Sequence, residues 1–370
     1  MHVSTSLTTL SGRTVLITGH SGFIGSWLSV LLAAAGTRVV GYSLSDDAVS
    51  SARAGWLERR AVVDVRGDVR NLRTLLETVR VHRPDLLVHL AAQPILRTGF
   101  VEPHRTFDVN INGSLSVLEA VRSGSVPALV HVTSDKCYAP TGVDSPPLTE
   151  LSPIGGTGPY PASKSIAELL FGEFDALMPP GAAIASVRLG NVIGGGDEAD
   201  RLTPNALRAF GSGRPFAVRD PAARRPFQHV LDVVSGLSQL AAGLLDRRVV
   251  SGLALNFAPP TAGELTADLV AELARAWGPD ATVGDAPVPT DFPEQLAVRL
   301  DGSRAAALLG WEHRLDLRDA ASWTVAWARM RGRGADPADV TARQTQEFLD
   351  LPVGVGARAR SSAHPAADGR

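Results

Sequence analysis

The chain has 370 residues, with 36 basic against 38 acidic side chains and a formal net charge of −2. That balance excludes nucleic-acid binding driven by phosphate neutralisation and a polybasic membrane-surface role. Apolar residues at 44% and charged residues at 20% exclude a disordered chain, and the lone Cys137 excludes an internal disulfide or a multi-cysteine zinc site and fits a cytoplasmic setting.

Taken in chain order, the first notable stretch is 14–37, which has no Asp, Glu, Lys or Arg and could in length span a bilayer. Gly19, Gly22 and Gly25, following a β-branched run, instead read as strand–turn–helix, and no signal peptide is expected upstream. Strands are predicted at 14–18, 38–42, 61–65, 86–90, 129–133, 185–189 and 253–257. Helices are predicted between them at 23–35, 72–82, 104–122 and 161–177. This alternation predicts a doubly wound parallel α/β sheet. From Gly190 the pattern loosens, with helices expected near 204–210, 230–245 and 265–277, and two final ones at 303–309 and 317–329. The expected division is a Rossmann-type dinucleotide domain, 1–189 plus about 228–260, and a smaller irregular α/β substrate lobe, 190–227 plus about 261–335. Residues 353–370 lack periodicity and are expected to form a disordered tail.

The turn Gly19-x-x-Gly22-x-x-Gly25 closes the first strand and opens a helix at Phe23 and Ile24. Glycine lets backbone approach a pyrophosphate, and the helix N-terminus supplies N–H donors and a positive dipole end. No acid stands at the end of the second strand to hold an adenosine ribose; Asp46 and Asp47 come about three residues late and read equally as solvated loop acids. NAD is therefore preferred, with NADP left open. Asp68-Val69 follows the third strand and suits an adenine ring, while Leu90-Ala91-Ala92-Gln93 offers small residues at the end of the fourth.

Thr133-Ser134-Asp135-Lys136 closes the fifth strand, and Tyr160-x-x-x-Lys164 follows. At that spacing the ammonium sits beside the phenol on one helical face and stabilises its phenolate. Such a tyrosine takes a hydroxyl proton while a nicotinamide takes a hydride, with Ser134 orienting the same oxygen. Asp135-Lys136 reads either as a surface pair or as the additional acid and base that removing water from a sugar requires. Cys137, His89 and His229 read as packed residues, and no cluster has metal-ligand spacing.

These residues give the chain a resemblance to the extended short-chain dehydrogenase/reductases, and within them to the CDP-glucose 4,6-dehydratases. It is carried by Thr18-Gly19-His20-Ser21-Gly22-Phe23-Ile24-Gly25-Ser26-Trp27-Leu28, His89-Leu90-Ala91-Ala92-Gln93-Pro94, Ser134-Asp135-Lys136-Cys137-Tyr138, Gly190-Asn191-Val192-Ile193-Gly194-Gly195-Gly196-Asp197 and Arg225-Pro226-Phe227-Gln228-His229-Val230. The resemblance implies a 4-keto-6-deoxy sugar formed by internal hydride transfer from C4 to C6. Catalytic roles fall on Ser134, Asp135, Lys136, Tyr160 and Lys164, with Asn110 in support. Cofactor contacts fall on Gly19, Ser21, Gly22, Phe23, Ile24, Gly25, Asp68, Val69, Leu90, Ala91, Ala92 and Thr133, besides Tyr160 and Lys164. Substrate contacts fall on Gln93, Asn191, Arg201 and Arg225. A homodimer through helices 104–122 and 161–177 is implied as well. The chain departs from the family at Gly158-Pro159, Pro161, Glu198 and Phe227, all around the implied sugar-nucleotide pocket. A 4-epimerase or ketoreductase of the same superfamily, and a non-catalytic cofactor-binding regulatory protein, remain alternatives.

Overall fold

A computed structural model describes residues 3–44, 53, 55–261, 263–284 and 295–352. Asp46, Asp47 and the expected tail at 353–370 lie outside the described residues. Seven parallel strands form one sheet: β1 (Thr14–Thr18), β2 (Arg38–Ser43), β3 (Val63–Arg66), β4 (Leu86–His89), β5 (Ala128–Ser134), β6 (Ala183–Leu189) and β7 (Leu253–Phe257). Their spatial order is β7-β6-β5-β4-β1-β2-β3. The order reverses between β1 and β4, so a crevice opens at the carboxyl ends of those two strands, where open α/β sheets bind ligands.

Side chains alternate across the sheet. Val15 and Ile17 of β1 enter one apolar layer and Leu16 enters the other. The first layer is covered by α1 (Val3–Leu10), α2 (Phe23–Ala34) and the almost wholly buried Val230–Leu245 helix. The second is covered by α3 (Leu72–His82), α4 (Gly113–Arg122) and α5 (Pro159–Asp175). Helix α2 is apolar on most of its circumference because it is sandwiched, with Trp27, Leu28, Leu31 and Leu32 buried. Among the described residues no helix is long and apolar enough to cross a membrane.

Beyond β6 the chain builds short two-stranded pieces. Asn191–Ile193 pairs in parallel with Phe227–His229, and Arg224–Arg225 pairs antiparallel with Glu264–Leu265. Helices Leu202–Gly211, Thr266–Trp277, Ser303–Leu309 and Leu317–Gly332 pack around them.

The structure departs from the expected helices in several places. The helix expected over 104–122 is interrupted: Pro103–Phe107 passes through a π-helical turn at Asp108–Asn112 before α4 begins. Helices α1 at the start, the short Leu96–Val101 and Pro337–Leu349 at the end lie outside the expected helices. The last is capped by Asp336, whose side chain accepts from the Ala338 N–H, with Pro337 in its first turn. Its inward face is partly polar: Thr341 accepts from the Trp327 indole at 3.1 Å, and Gln344 donates to the Trp323 carbonyl at 2.8 Å. Phe348 is its aromatic anchor, 1% exposed. Phe348→Ala is expected to cost about 3–5 kcal/mol in urea unfolding. A loss below about 1 kcal/mol would place this helix outside the cooperative core.

Candidate active site

Backbone geometry shapes the mouth of the crevice. Gly19 has φ +77°, and a Cβ there would stand 2.7 Å from the Ala91 amide nitrogen, so the turn after β1 abuts the end of β4. A Cβ on Gly25 would collide with the Gly19 carbonyl, which lets α2 start hard against the turn. Gly22 is the N-cap of α2 and brings no capping side chain. The first-turn N–H groups and the positive dipole end are thus available to an anion such as a dinucleotide pyrophosphate. Ser21 is buried in this turn, and Phe23 and Ile24 pack against the core beneath it.

At the end of β2, Ser43 hydrogen-bonds His20 Nδ1 at 2.8 Å. His20 Nε2 lies 3.0 Å from Asp64 Oδ1, and Arg66 pairs with the other oxygen of that carboxylate. Burial, helped by the Arg66 charge, pulls His20 down to about 4, so the imidazole is neutral near pH 7. Asp68 accepts from the Arg70 backbone N–H at 2.9 Å and from its guanidinium, which holds the carboxyl below the usual range. Val69 is buried under Gly113, where a Cβ would come within 2.8 Å of it. Leu90, Ala91 and Ala92 continue β4 into the crevice, with Leu90 N–H donating to the Thr18 carbonyl.

The chemistry-bearing residues meet where β5 ends beside the start of α5. Ser134 Oγ donates to Asp135 Oδ1 at 2.9 Å and accepts from the Lys136 N–H at 3.3 Å. Asp135 Oδ2 lies 3.6 Å from Lys136 Nζ, the carboxylate almost fully buried and the lysine partly open. The Tyr160 phenol bonds to Ser134; burial raises its pKa overall, and that bond and the Arg201 charge offset only part of the rise. Lys164, one turn along α5, is brought down to about 8 by burial, against the opposing pull of the Glu168 carboxylate.

The π turn has a local purpose: its extra residue swings Asn110 inward. Asn110 accepts from the Gln93 N–H at 2.8 Å and donates to Ser163 Oγ at 2.8 Å, and Ser163 in turn donates to the Tyr160 carbonyl at 2.7 Å. Asn110 therefore braces the helix start that carries Tyr160. Gln93, expected at the sugar, spends its amide inside the loop: its NH₂ donates to Thr106 Oγ1 and the Ile95 carbonyl, and its carbonyl accepts from Ile95 N–H. Arg201 precedes the Leu202–Gly211 helix, 3.6 Å from Asp197. Asn191 is in register with Phe227, two residues beyond the buried Arg225, whose guanidinium donates to the Arg224 carbonyl at 2.9 Å. Of the departures, Phe227 and Pro161 are buried and Glu198 is exposed.

Two residues escaped the sequence reading. Arg53 donates to the Ser21 carbonyl at 2.7 Å and to the Gly196 carbonyl at 2.6 Å, strapping the glycine turn to the Gly194–Gly196 loop. Glu168 lies on the Tyr160–Lys164 face, another turn along α5, and is buried. A signal for the site was nevertheless present: the whole chain contains only two lysines, Lys136 and Lys164, and both lie here.

Comparison with known proteins agrees with this geometry. Residues 15–246 match the model of the NAD dependent epimerase/dehydratase family. The chain is 34% identical over 356 residues to CDP-glucose 4,6-dehydratase of Salmonella typhimurium, covering 91% of this chain and 96% of that one. Among solved structures, UDP-glucose-4-epimerase of Stenotrophomonas maltophila, with bound NAD, superposes with a TM-score of 0.77 at 26% identity over 87% of this chain and all of that one. The fold is shared with dTDP-glucose 4,6-dehydratase of Streptomyces venezuelae, also solved with NAD (TM-score 0.75, 23% identity, 88% of this chain and 99% of that one). A glycine-lined dinucleotide turn, a Ser134–Tyr160–Lys164 cluster and a family match over most of the sheet place this chain in the NAD dependent epimerase/dehydratase family.

Proposed function

We propose that the chain is an NAD-dependent nucleotide-sugar 4,6-dehydratase acting on CDP-glucose or a near analogue. The observation that carries the choice within the family is the Asp135–Lys136 pair, set against the hydroxyl that the Tyr160 phenol also touches. A site that only inverts or reduces C4 needs the phenol and its lysine. Elimination of water needs two further proton-transfer groups, and this site has them.

When bound in the glycine-lined crevice, NAD supplies hydride acceptance and return. Tyr160, held by Ser134 and faced by Lys164, takes the proton of the C4 hydroxyl. Once C4 is a ketone the C5–H is acidic, and Lys136 in its neutral form removes that proton. Asp135 protonates the C6 oxygen as it leaves. Arg201, Arg225 and Asn191 are assigned to the diphosphate and sugar, and the lobe of 190–227 plus about 261–335 to substrate binding; forked guanidinium groups suit phosphate oxygens. Asp68 and Val69 are assigned to the adenine, with Leu90, Ala91, Ala92 and Thr133 beneath the rest of the cofactor. Phe227, Glu198 and Pro161 set the chain apart within the sugar-nucleotide pocket, leaving the proton-transfer groups in place.

We also infer a homodimer built on α4 and α5. Leu169 on the outer side of α5 is 58% exposed, an apolar side chain that the monomer leaves without cover. A cytoplasmic setting is consistent with the one buried, unpaired Cys137.

With CDP-glucose and NAD, mass spectrometry should find a product lighter by one water, carrying one deuterium at C5 when the reaction is run in heavy water. An isomer of unchanged mass would replace dehydration by epimerisation. Tyr160→Phe should lower kcat by about 10³-fold, within the range for removing a general acid–base. Lys136→Met should abolish deuterium uptake at C5, whereas Asp135→Asn should keep exchange at C5 but form little deoxysugar. Leu169→Arg should convert a dimer to a monomer in light scattering; an unchanged mass would move the interface elsewhere.

A further inference from the structure

Glu168 is buried behind the crevice-facing residues, and three side chains from two neighbouring strands converge on it. Thr133 Oγ1 of β5 and Ser186 Oγ of β6 donate to one carboxylate oxygen, and Arg188 of β6 donates to the other at 2.7 Å. Arg188 is itself held by the Tyr138 hydroxyl at 2.8 Å and the Glu150 carbonyl at 3.1 Å. The carboxylate is therefore fixed in place and 4% exposed. Along α5 it stands at i+8 from Tyr160 and i+4 from Lys164, on one stripe that runs from the helix N-terminus inward.

The groups around Lys164 leave Glu168 as the anion that supports it. His89 on β4 and His131 on β5 are neutral, both pushed down chiefly by burial. The Cys137 thiol after β5 is pushed up by burial and stays protonated. Arg188 faces Glu168 from β6, while Asp135 and Arg201 face the phenol end. With Lys164 protonated, Lys164, Glu168 and Arg188 sum to +1, and a phenolate at Tyr160 brings the buried stripe to zero. Without the carboxylate, two buried cations would stand in a poorly solvated region, which disfavours charge on the one that can lose its proton.

Resting on the dehydratase reading, we propose that Glu168 is a positioning residue that acts through the Lys164 ammonium to set how readily the Tyr160 phenol gives up its proton. It touches neither sugar nor cofactor. Its effect is electrostatic, so charge rather than shape carries it.

The composition makes the test direct, because the chain has two lysines and three tyrosines. In NAD-loaded enzyme labelled with 13C at lysine Cε, NMR titration gives two lysine signals, assigned with Lys136→Arg. Phenolate absorbance, taken as the difference from Tyr160→Phe, isolates Tyr160. Glu168→Gln keeps the volume and should move the Lys164 titration down and the Tyr160 titration up by about one pH unit each, the acid limb of kcat following the tyrosine. Glu168→Asp keeps the charge and should restore most of both shifts. If Glu168→Gln fails to fold because Arg188 is left unpaired, Glu168→Gln/Arg188→Gln removes both buried charges and should show shifts in the same directions but smaller, since the cation that would repel Lys164 is gone as well. Unmoved titrations, or an Asp variant as impaired as the Gln one, would overturn the proposal. Full turnover by Tyr160→Phe would instead overturn the dehydratase reading itself, whatever Glu168→Gln does.

Discussion

The close approach of the Gly19 turn to the end of β4 is the constraint on which the rest of the site depends. The sheet reverses its order between β1 and β4, so the two chain ends that shape the crevice come from neighbours in space that are far apart in sequence. Any side chain at Gly19 would strike Ala91 backbone. With hydrogen there instead, the Leu90 N–H reaches the Thr18 carbonyl at 3.0 Å, α2 begins immediately, and its uncapped N-terminus faces the crevice. Thr18 and His89, hydrogen-bonded at 2.8 Å, close the floor beneath. Loosening that contact would displace both the phosphate-binding turn and the strand that precedes the Gln93–Asn110 brace.

A second principle organises the catalytic half: buried charge is tolerated only in series. Asp135 beside Lys136, Lys164 above Glu168 and Glu168 against Arg188 alternate in sign from the crevice into the sheet. Each member lowers the cost of burying its neighbour. Tyr160 joins this series at the helix end where an anion is favoured, and there the Ser134 bond and the Arg201 charge offset part of the burial that raises the phenol's pKa. The neutral histidines beneath, His89 stacked on His131 at 5.2 Å, add polar packing without adding charge.

Much of this was legible in the sequence, for physical reasons. Strands 14–18 and 253–257 and helices 72–82 and 230–245 were read at their observed bounds, because β-branched runs and 3.6-residue periodicity are local signals. The π turn at Asp108–Asn112 was not, since one extra residue in a turn leaves the apolar period over 104–122 apparently continuous. Pro337–Leu349 was missed because Thr341 and Gln344 face inward and hide the apolar stripe. The Ser134, Asp135, Lys136, Tyr160 and Lys164 cluster could be read because its members lie in two short motifs. Glu168 could not, since its partners Ser186 and Arg188 arrive from another strand, and the internal bonds of Gln93 to Thr106 and Ile95 were likewise illegible because the fold sets them.

The use of cations separates the two kinds of work this protein does. Of its 36 basic residues only two are lysine, so every other permanent positive charge is a guanidinium. Arginine stays protonated at any working pH and presents a fixed fork, which suits Arg188 against Glu168 and Arg70 against Asp68 and Asp108. It cannot serve as a base. In the proposed elimination Lys136 must lose its proton to take one from carbon, and Lys164, brought to about 8 by burial, sits where a modest change in its surroundings alters its charge. The chain thus carries a lysine side chain only at these two positions. In the proposed elimination, replacing Lys136 by arginine would keep the charge and remove the base, which distinguishes proton transfer from the electrostatic holding assigned to Lys164.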